Sequence, residues 1–369
     1  MERILVVGGG SGGHLFPAFA LVYEMQKRKK SFEIMFVISG RAEEKRIANY
    51  IKEKIPNIKI LIIPIFPFKR GGFCEWFRFI SNTIRGVIYS FLLVLLSHPR
   101  VVVGFGGILS LPLILSAFLL RIPTLVHEQN VYPGKANRLL SYFANVIAVS
   151  FEDTKQYLRR SQLIFTGNPL RPDLLVMDRE KALSSLGLEA SFFTILILGG
   201  SQGANVINNY FLNLCEKIIK ENIKIQIIHL TGLKDLEWVA ERYKKLGILA
   251  KVFPFYEDMG ALYSSADLVI GRAGASTLNE LSFFAKPAVV IPYPYAEKHQ
   301  FLNALYYSQR NSLFFIDEKD LNQEKTYYFI CDIIKNKEKR HSLSEGIKKL
   351  NNSLATKLLA DTVEGLLKR

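Results

Sequence analysis

Cysteine is nearly absent from this chain, with three among 369 residues, at positions 74, 215 and 331. None belongs to a CxxC pair or stands at ligand spacing from a histidine. Neither a disulfide framework nor a structural zinc site is therefore expected, and a reducing cytoplasm fits. The sequence shows no low-complexity tract, no short-period repeat and no DxD triplet for holding a metal ion. Acidic residues are outnumbered 33 to 48, which gives a formal net charge of +15. Such a balance calls for an anionic partner, whether nucleic acid, an anionic bilayer or a phosphorylated substrate. The aromatic-plus-basic signature of an RNA-binding module is missing, so nucleic acid is not expected. The opening residues enter an apolar strand, RILVVG, without the layout of a secretion leader.

Long uncharged runs are also scarce. Val101 to Leu120 is one, twenty residues between Arg100 and Arg121, and it has the length of a membrane span. It contains Gly104, Gly106, Gly107 and Pro112, however, and reads instead as a buried strand, a glycine turn and a separate helical piece. No transmembrane helix is expected.

What the chain does have is alternation of strands and helices from end to end. Strands are expected near 3–8, 33–38, 58–63, 101–104, 123–127 and 145–149, and again near 193–198, 225–229, 251–254, 267–270 and 288–292. That pattern predicts an α/β protein of two Rossmann-like, doubly wound domains facing a deep cleft, since one core rarely serves this many residues. Gly167-Asn168-Pro169 marks the joint. The domains are then 1–168 and 169–352, with a C-terminal helix near 353–369 packing back on the first.

Four glycine-rich turns follow strands: Gly9 to Gly13, Gly104 to Gly107, Gly199 to Gly203, and Gly271 to Gly274. Such turns admit a pyrophosphate to the backbone, and the helix starts behind them supply N–H donors and a dipole. The stretch Gly271 to Asn303 organises the whole. A strand over 266–270 leads into a helix capped by Ser276 or Thr277, which Pro287 stops after about three turns. A strand, Ala288 to Ile291, and a loop ending in His299-Gln300 follow. Thr277 and Glu280 stand at S/T-x-x-E spacing, so Glu280 is either half of a capping box or an acceptor for ribose hydroxyls.

Two further positions are candidates for proton transfer. His14 stands at the first helical turn after the first glycine loop, either as a proton acceptor or as a structural residue. Glu128 belongs to His127-Glu128-Gln129-Asn130, four polar residues ending an apolar strand, and is either a base or a paired carboxylate.

The motifs GGSGGHLFP (9–17), GFGG (104–107), HEQN (127–130), GNPLR (167–171), GGSQGA (199–204), RAGASTLNE (272–280) and HQFLNA (299–304) resemble, in order and over nearly the whole chain, those of the bacterial N-acetylglucosaminyltransferases that complete lipid II in peptidoglycan synthesis. Departures are small: Ser11 stands where threonine is common, and His299 where glutamine occurs. The resemblance implies a GT-B fold and an inverting transfer of N-acetylglucosamine from UDP-N-acetylglucosamine to the C4 hydroxyl of the muramic acid of lipid I, with no cofactor or metal required. It implies donor contacts at Ser11, Gly12, Gly13, Asn130, Arg171, Ser201, Tyr256, Ala275, Ser276, Thr277, Leu278, Asn279, Glu280 and Gln300. At Tyr256 the contact to uracil comes from the backbone. His14 is then the first candidate for the base and Glu128 the second.

The implied location is peripheral, on the cytoplasmic face of the plasma membrane, with cell-wall assembly proteins as possible partners. Pro67 to Arg85 interleaves Phe68, Phe73, Trp76, Phe77 and Ile80 with Lys69, Arg70, Arg78 and Arg85, which suits docking on anionic lipid. The rival readings are another GT-B enzyme making glycolipids from a UDP-sugar, a UDP-sugar epimerase, and a non-enzymatic nucleotide-binding protein.

Overall fold

A computed structural model describes residues 2–10, 12–28, 32–65, 73–158, 162–199, 203–221, 223–321 and 324–368, without the side chains of residues 73, 74, 76 and 325. The chain divides into two compact units. One comprises Met1–Pro172 with Asn352–Arg369, and the other comprises Asp173–Asn351. The first crossing thus falls four residues beyond Asn168, after the proline of the GNPLRP turn.

The first unit is built on seven parallel strands: β1 (Glu2–Val7), β2 (Phe32–Ile38), β3 (Lys59–Ile62), β4 (Val101–Gly104), β5 (Thr124–Glu128), β6 (Val146–Val149) and β7 (Gln162–Phe165). Their order in the sheet is β3-β2-β1-β4-β5-β6-β7. The crossovers hold helices α1 (Gly12–Arg28), α2 (Ala42–Lys54), α3 (Phe73–Ser97), α4 (Ser110–Leu119) and α5 (Lys135–Leu140). Alternation along β1 sets the two faces: Ile4 and Val6 join a core with α1 and α2, whereas Leu5 and Val7 join another with α4.

The second unit has six parallel strands: β8 (Phe193–Leu198), β9 (Ile225–Leu230), β10 (Ala250–Phe253), β11 (Leu268–Gly271), β12 (Ala288–Val290) and β13 (Phe314–Phe315). They are ordered β10-β9-β8-β11-β12-β13. Its helices are α6 (Arg179–Ser185), α7 (Asn205–Lys220), α8 (Leu236–Lys245), α9 (Met259–Ser265), α10 (Ala275–Phe283), α11 (His299–Ser308), α12 (Glu324–Lys335) and α13 (Lys337–Lys348). The last helix, α14 (Ala355–Leu367), belongs to the first unit. Its Leu359, Ala360 and Val363 are buried in the same core as Ile4 and Val6, and Arg28 of α1 donates to Asp361 Oδ1 at 2.5 Å.

Strand order reverses between β1 and β4 in the first unit and between β8 and β11 in the second. The four glycine turns leave the carboxyl ends of those four strands, where open α/β sheets admit ligands. Their closeness demands glycine: a Cβ on Gly107 would stand 2.8 Å from the carbonyl oxygen of Gly9, and one on Gly203 would stand 2.2 Å from that of Thr231.

Several details depart from the sequence reading. β7 and β13 were not foreseen, being short and partly exposed. The run 101–120 resolves into β4, a turn and α4, as expected. Among the described residues, the helix with the length and apolarity of a membrane span is instead α3, over Phe77–Ser97, which is mostly unburied. The N-cap of α10 is Gly274, not Ser276 or Thr277, and the helix ends after nine residues, at Phe283, before Ala285 at φ 50° and before Pro287 is reached.

Candidate functional site

In the first unit the turn after β1 is tied down by a residue the sequence reading missed. Glu44, fully buried on α2, accepts hydrogen bonds from Gly10 N (2.7 Å), Ser39 N (2.8 Å) and Gly40 N (2.9 Å). One carboxylate therefore locks the loops after β1 and β2 together, and a long-range partnership of this kind leaves no mark in local pattern. Gly12 and Gly13 open α1, while Ser11 lies outside the described residues. His14 Nδ1 lies 3.0 Å from the carbonyl oxygen of Gly9. A carbonyl only accepts, so Nδ1 carries the hydrogen of this contact.

The HEQN run ends β5. His127 is buried, with Nε2 3.1 Å from Gly167 O and Nδ1 3.1 Å from Gln129 Nε2. Burial pushes its pKa down to about 4, so the ring is neutral and structural. Glu128 is 1% exposed. Its Oε1 accepts from Asn130 N (2.8 Å) and Asn130 Nδ2 (3.1 Å), and its Oε2 from Gly134 N (3.0 Å) and Asn137 Nδ2 (2.7 Å). A carboxylate has about four lone-pair positions, and all four are taken. Glu128 is thus placed as the anchor of the 130–137 loop, with no oxygen turned to open space. Arg171 is buried with its guanidinium 4.3 Å from the centre of the Phe16 ring, which seats the GNPLR turn on α1 beside the first glycine loop.

In the second unit, α10 begins where β11 ends. Its first N–H groups open at the reversal of strand order, with Gly199 and Gly203 on the neighbouring turn after β8; Ser201 lies outside the described residues. Ala275, Leu278 and Asn279 are buried, so a ligand would meet their backbone more than their side chains. The hydroxyl of Ser276 is buried without a hydrogen-bond partner. Glu280 does not close a capping box with Thr277. Its Oε2 accepts the hydroxyl of Tyr263 at 2.7 Å, a partner on α9 that the S/T-x-x-E spacing could not announce. Gln300 Oε1 accepts from Tyr293 N at 2.9 Å, which orients its side-chain amide at the start of α11. Arg272 pairs ionically with Glu318 (Nη1 to Oε2, 2.6 Å) and lies over the Tyr293 ring, pinning the loop after β12. The Tyr256 ring packs at 4.7 Å on Phe253 at the end of β10. Beneath the β8 turn, His229 is held between Tyr243 (2.9 Å) and Asn208 (3.0 Å), and burial pushes its pKa down to about 3. Among the described residues no three His, Cys, Asp or Glu side chains gather as metal ligands.

The glycosyltransferase family 28 N-terminal domain model matches residues 4–149, and the family 28 C-terminal domain model matches residues 194–359. A UDP-N-acetylglucosamine–N-acetylmuramyl-(pentapeptide) pyrophosphoryl-undecaprenol N-acetylglucosamine transferase of Halothermothrix orenii is 36% identical over 98% of this chain and 98% of its own. The enzyme of the same name from Thermodesulfovibrio yellowstonii is 35% identical over 100% and 99%. The crystal structure of Acinetobacter baumannii MurG superposes with a TM-score of 0.77 at 25% identity, covering 99% of this chain and 100% of that one. A UDP-GlcNAc 2-epimerase from Neisseria meningitidis, bound to UDP-GlcNAc, shares the fold at a TM-score of 0.70 and 17% identity over the full length of both. Two parallel-sheet units with glycine turns at both strand reversals, and near full-length identity to named transferases, place this chain in glycosyltransferase family 28, among the UDP-N-acetylglucosamine–N-acetylmuramyl-(pentapeptide) pyrophosphoryl-undecaprenol N-acetylglucosamine transferases.

Proposed function

We propose that the protein transfers N-acetylglucosamine from UDP-N-acetylglucosamine to the C4 hydroxyl of the muramic acid of lipid I, with inversion at the anomeric carbon, to give lipid II. The observation that carries this reading is the end-to-end likeness to transferases of that name, over 98% of both chains in one case. We assign the roles accordingly. The acceptor oxygen attacks the anomeric carbon, the bond to the UDP oxygen breaks with its electron pair, and the hydroxyl proton passes to His14 Nε2. The charge growing on UDP is met by the first N–H groups of α10 and by the Gly199 to Gly203 turn. Glu280, steadied by Tyr263, accepts the ribose hydroxyls, and Gln300, Asn130, Arg171, Ser11 and Ser201 complete the donor contacts. Such a mechanism requires no resident metal, and unchanged turnover after chelation is expected. The test is a product assay with UDP-N-acetylglucosamine and a lipid I analogue, run beside UDP-galactose and UDP-glucose. Transfer to diacylglycerol, or to nothing, would refute the reading.

The same reading includes docking on an anionic bilayer through α3. Gly86, Ser90 and Val94 form the seated face of this helix, and a Cβ on Gly86 would come within 2.2 Å of Ile65, so the fit there is close. The remaining faces expose Phe77, Ile84, Ile88 (53%), Tyr89 and Leu96 (73%), with Phe118 and Leu119 of α4 also exposed. Arg78, Arg85, Arg100 and Arg121 are exposed on or beside the two helices. A seated helix with an apolar outer face and cations nearby fits lying in the interface better than crossing it. The lipid-facing segment thus extends past Arg85; residues 67–72 and the Trp76 side chain lie outside the description. Ile88→Glu with Leu96→Glu is expected to abolish binding to anionic vesicles while leaving UDP binding intact, and unchanged vesicle binding would remove the idea.

A further inference from the structure

Both ends of the glycine turn after β8 rest on the exit of β9. Gly199 N donates to Leu230 O at 3.3 Å, and a Cβ on Gly203 would stand 2.2 Å from Thr231 O and 3.1 Å from Gly232 Cα. The seat of the turn therefore follows the place of one carbonyl. That carbonyl is held by Asn208 of α7, which is fully buried and whose Nδ2 donates to Thr231 O (3.1 Å) and to Asp235 Oδ2 (2.8 Å).

These contacts run in one direction. Thr231 O and Asp235 Oδ2 only accept, which settles which end of the Asn208 amide is nitrogen. Oδ1 then accepts from His229 Nε2 at 3.0 Å, and His229 Nδ1, left with its lone pair, accepts the Tyr243 hydroxyl at 2.9 Å. Asp235, at the head of α8, collects two more donors: Trp238 Nε1 (3.0 Å) and, from the first residue of α7, Asn205 Nδ2 (3.2 Å). Every polar hydrogen on the side chains of Asn208, His229 and Tyr243 has an acceptor, and a buried network satisfied in this way specifies one arrangement of the backbone it holds.

We propose that Asn208 is a positioning residue for the diphosphate of the donor. By fixing Thr231 O it sets the surface against which Gly203 seats, and with Asn205 it ties the start of α7 to the same loop, so that the N–H groups of the turn meet the phosphates in one preset geometry. This rests on the transferase reading above, which puts the diphosphate at that turn. Gln226 provides the contrast. It is also fully buried on β9, but at the opposite end, where its amide bonds Glu189 N (2.9 Å), Glu189 O (2.7 Å) and Thr194 Oγ1 (2.9 Å).

The experiment measures affinity for UDP and for uridine by NMR titration on wild type, Asn208→Ala and Gln226→Ala, with the Tm of each. Asn208→Ala is expected to weaken UDP binding by about tenfold or more and to leave uridine within about twofold, since the nucleoside has no phosphate for the turn to hold. Gln226→Ala, which also strands buried polar partners, is expected to lower Tm by a similar amount and to leave both affinities within about twofold. An Asn208→Ala variant that binds UDP like wild type, or that weakens both ligands equally, overturns the proposal, as does an equal loss of UDP binding in Gln226→Ala. Should Asn208→Ala fail to fold, Asn205→Ala decides, because that side chain is exposed: a loss of about threefold for UDP alone is expected, and no loss, or an equal loss for uridine, overturns the proposal. A wild type that binds uridine as tightly as UDP defeats the reading that places the diphosphate there, and the proposal with it, and is told apart because it appears without any substitution.

Discussion

Replacing Glu128 with glutamine separates an anchoring carboxylate from a catalytic one. Glutamine keeps the shape but puts an NH2 group where one oxygen accepts two of the four N–H groups from Asn130, Gly134 and Asn137. Two donors then confront a donor in a buried site. Each buried polar hydrogen left without an acceptor costs about 1–3 kcal/mol, and partial solvation of the loop near Asn130 returns some of that. A net loss of about 3 kcal/mol from the first unit is expected, equivalent to a fall of roughly 6–12 °C in its Tm. Thermal unfolding of the full chain, followed by calorimetry with transfer assayed on the same samples, measures both quantities. A catalytic base would behave oppositely: Glu128→Gln would be thermally silent and inactive. A Tm within 2 °C of wild type together with loss of transfer would therefore refute the anchoring account.

Three more expectations follow from the same geometry. His127 and His229 are neutral in the folded protein, with burial holding them at about 4 and about 3. Below the ordinary histidine value of about 6.5 the unfolded chain takes up protons the native state refuses, so stability present at pH 7 is lost as pH falls, by about 2 kcal/mol per histidine between pH 7 and pH 5. Urea unfolding at the two pH values checks this, and a His229→Gln variant whose pH dependence matches wild type would contradict it. Gly203→Ala places a Cβ 2.2 Å from Thr231 O at a φ of 76°, so a loss of more than about 3 kcal/mol is expected, and a Tm unmoved by the change would show that the turn gives way. Glu280→Ala is expected to weaken UDP binding by about a hundredfold and Tyr263→Phe by about fivefold, since the tyrosine only steadies the carboxylate; equal effects by calorimetric titration would mean that the pair acts as one structural unit.

The interior strands were legible because parallel strands covered on both faces are plain apolar runs, as in RILVV, VVVG and TILIL. β7 and β13 were not, being brief edge pieces whose pairing is decided by neighbours far along the chain. The glycine turns were also readable, since their φ values and close approaches permit little else. The hydrogen-bond partners of Glu128 and Glu280 were not legible: Asn137 and Gly134 for one and Tyr263 for the other are set by how loops and helices fall together. The Ser276-Thr277 pair misled for a local reason: Gly274 already takes the extended backbone of a cap, so the helix starts before either hydroxyl is reached. Hydropathy likewise drew attention to 101–120, whose apolar residues are internal, whereas the outward-facing apolar surface lies on α3.

The seat of α14 bears on synthesis. Leu359, Ala360 and Val363 complete a core otherwise assembled from the first 150 or so positions, yet the ribosome delivers them only after the unit Asp173–Asn351. The amino-terminal lobe must wait, with an unfinished apolar seam, until translation has passed through the whole intervening lobe. A stop codon before Ala355 would consequently cripple the half of the molecule made first, sparing the half made just before it.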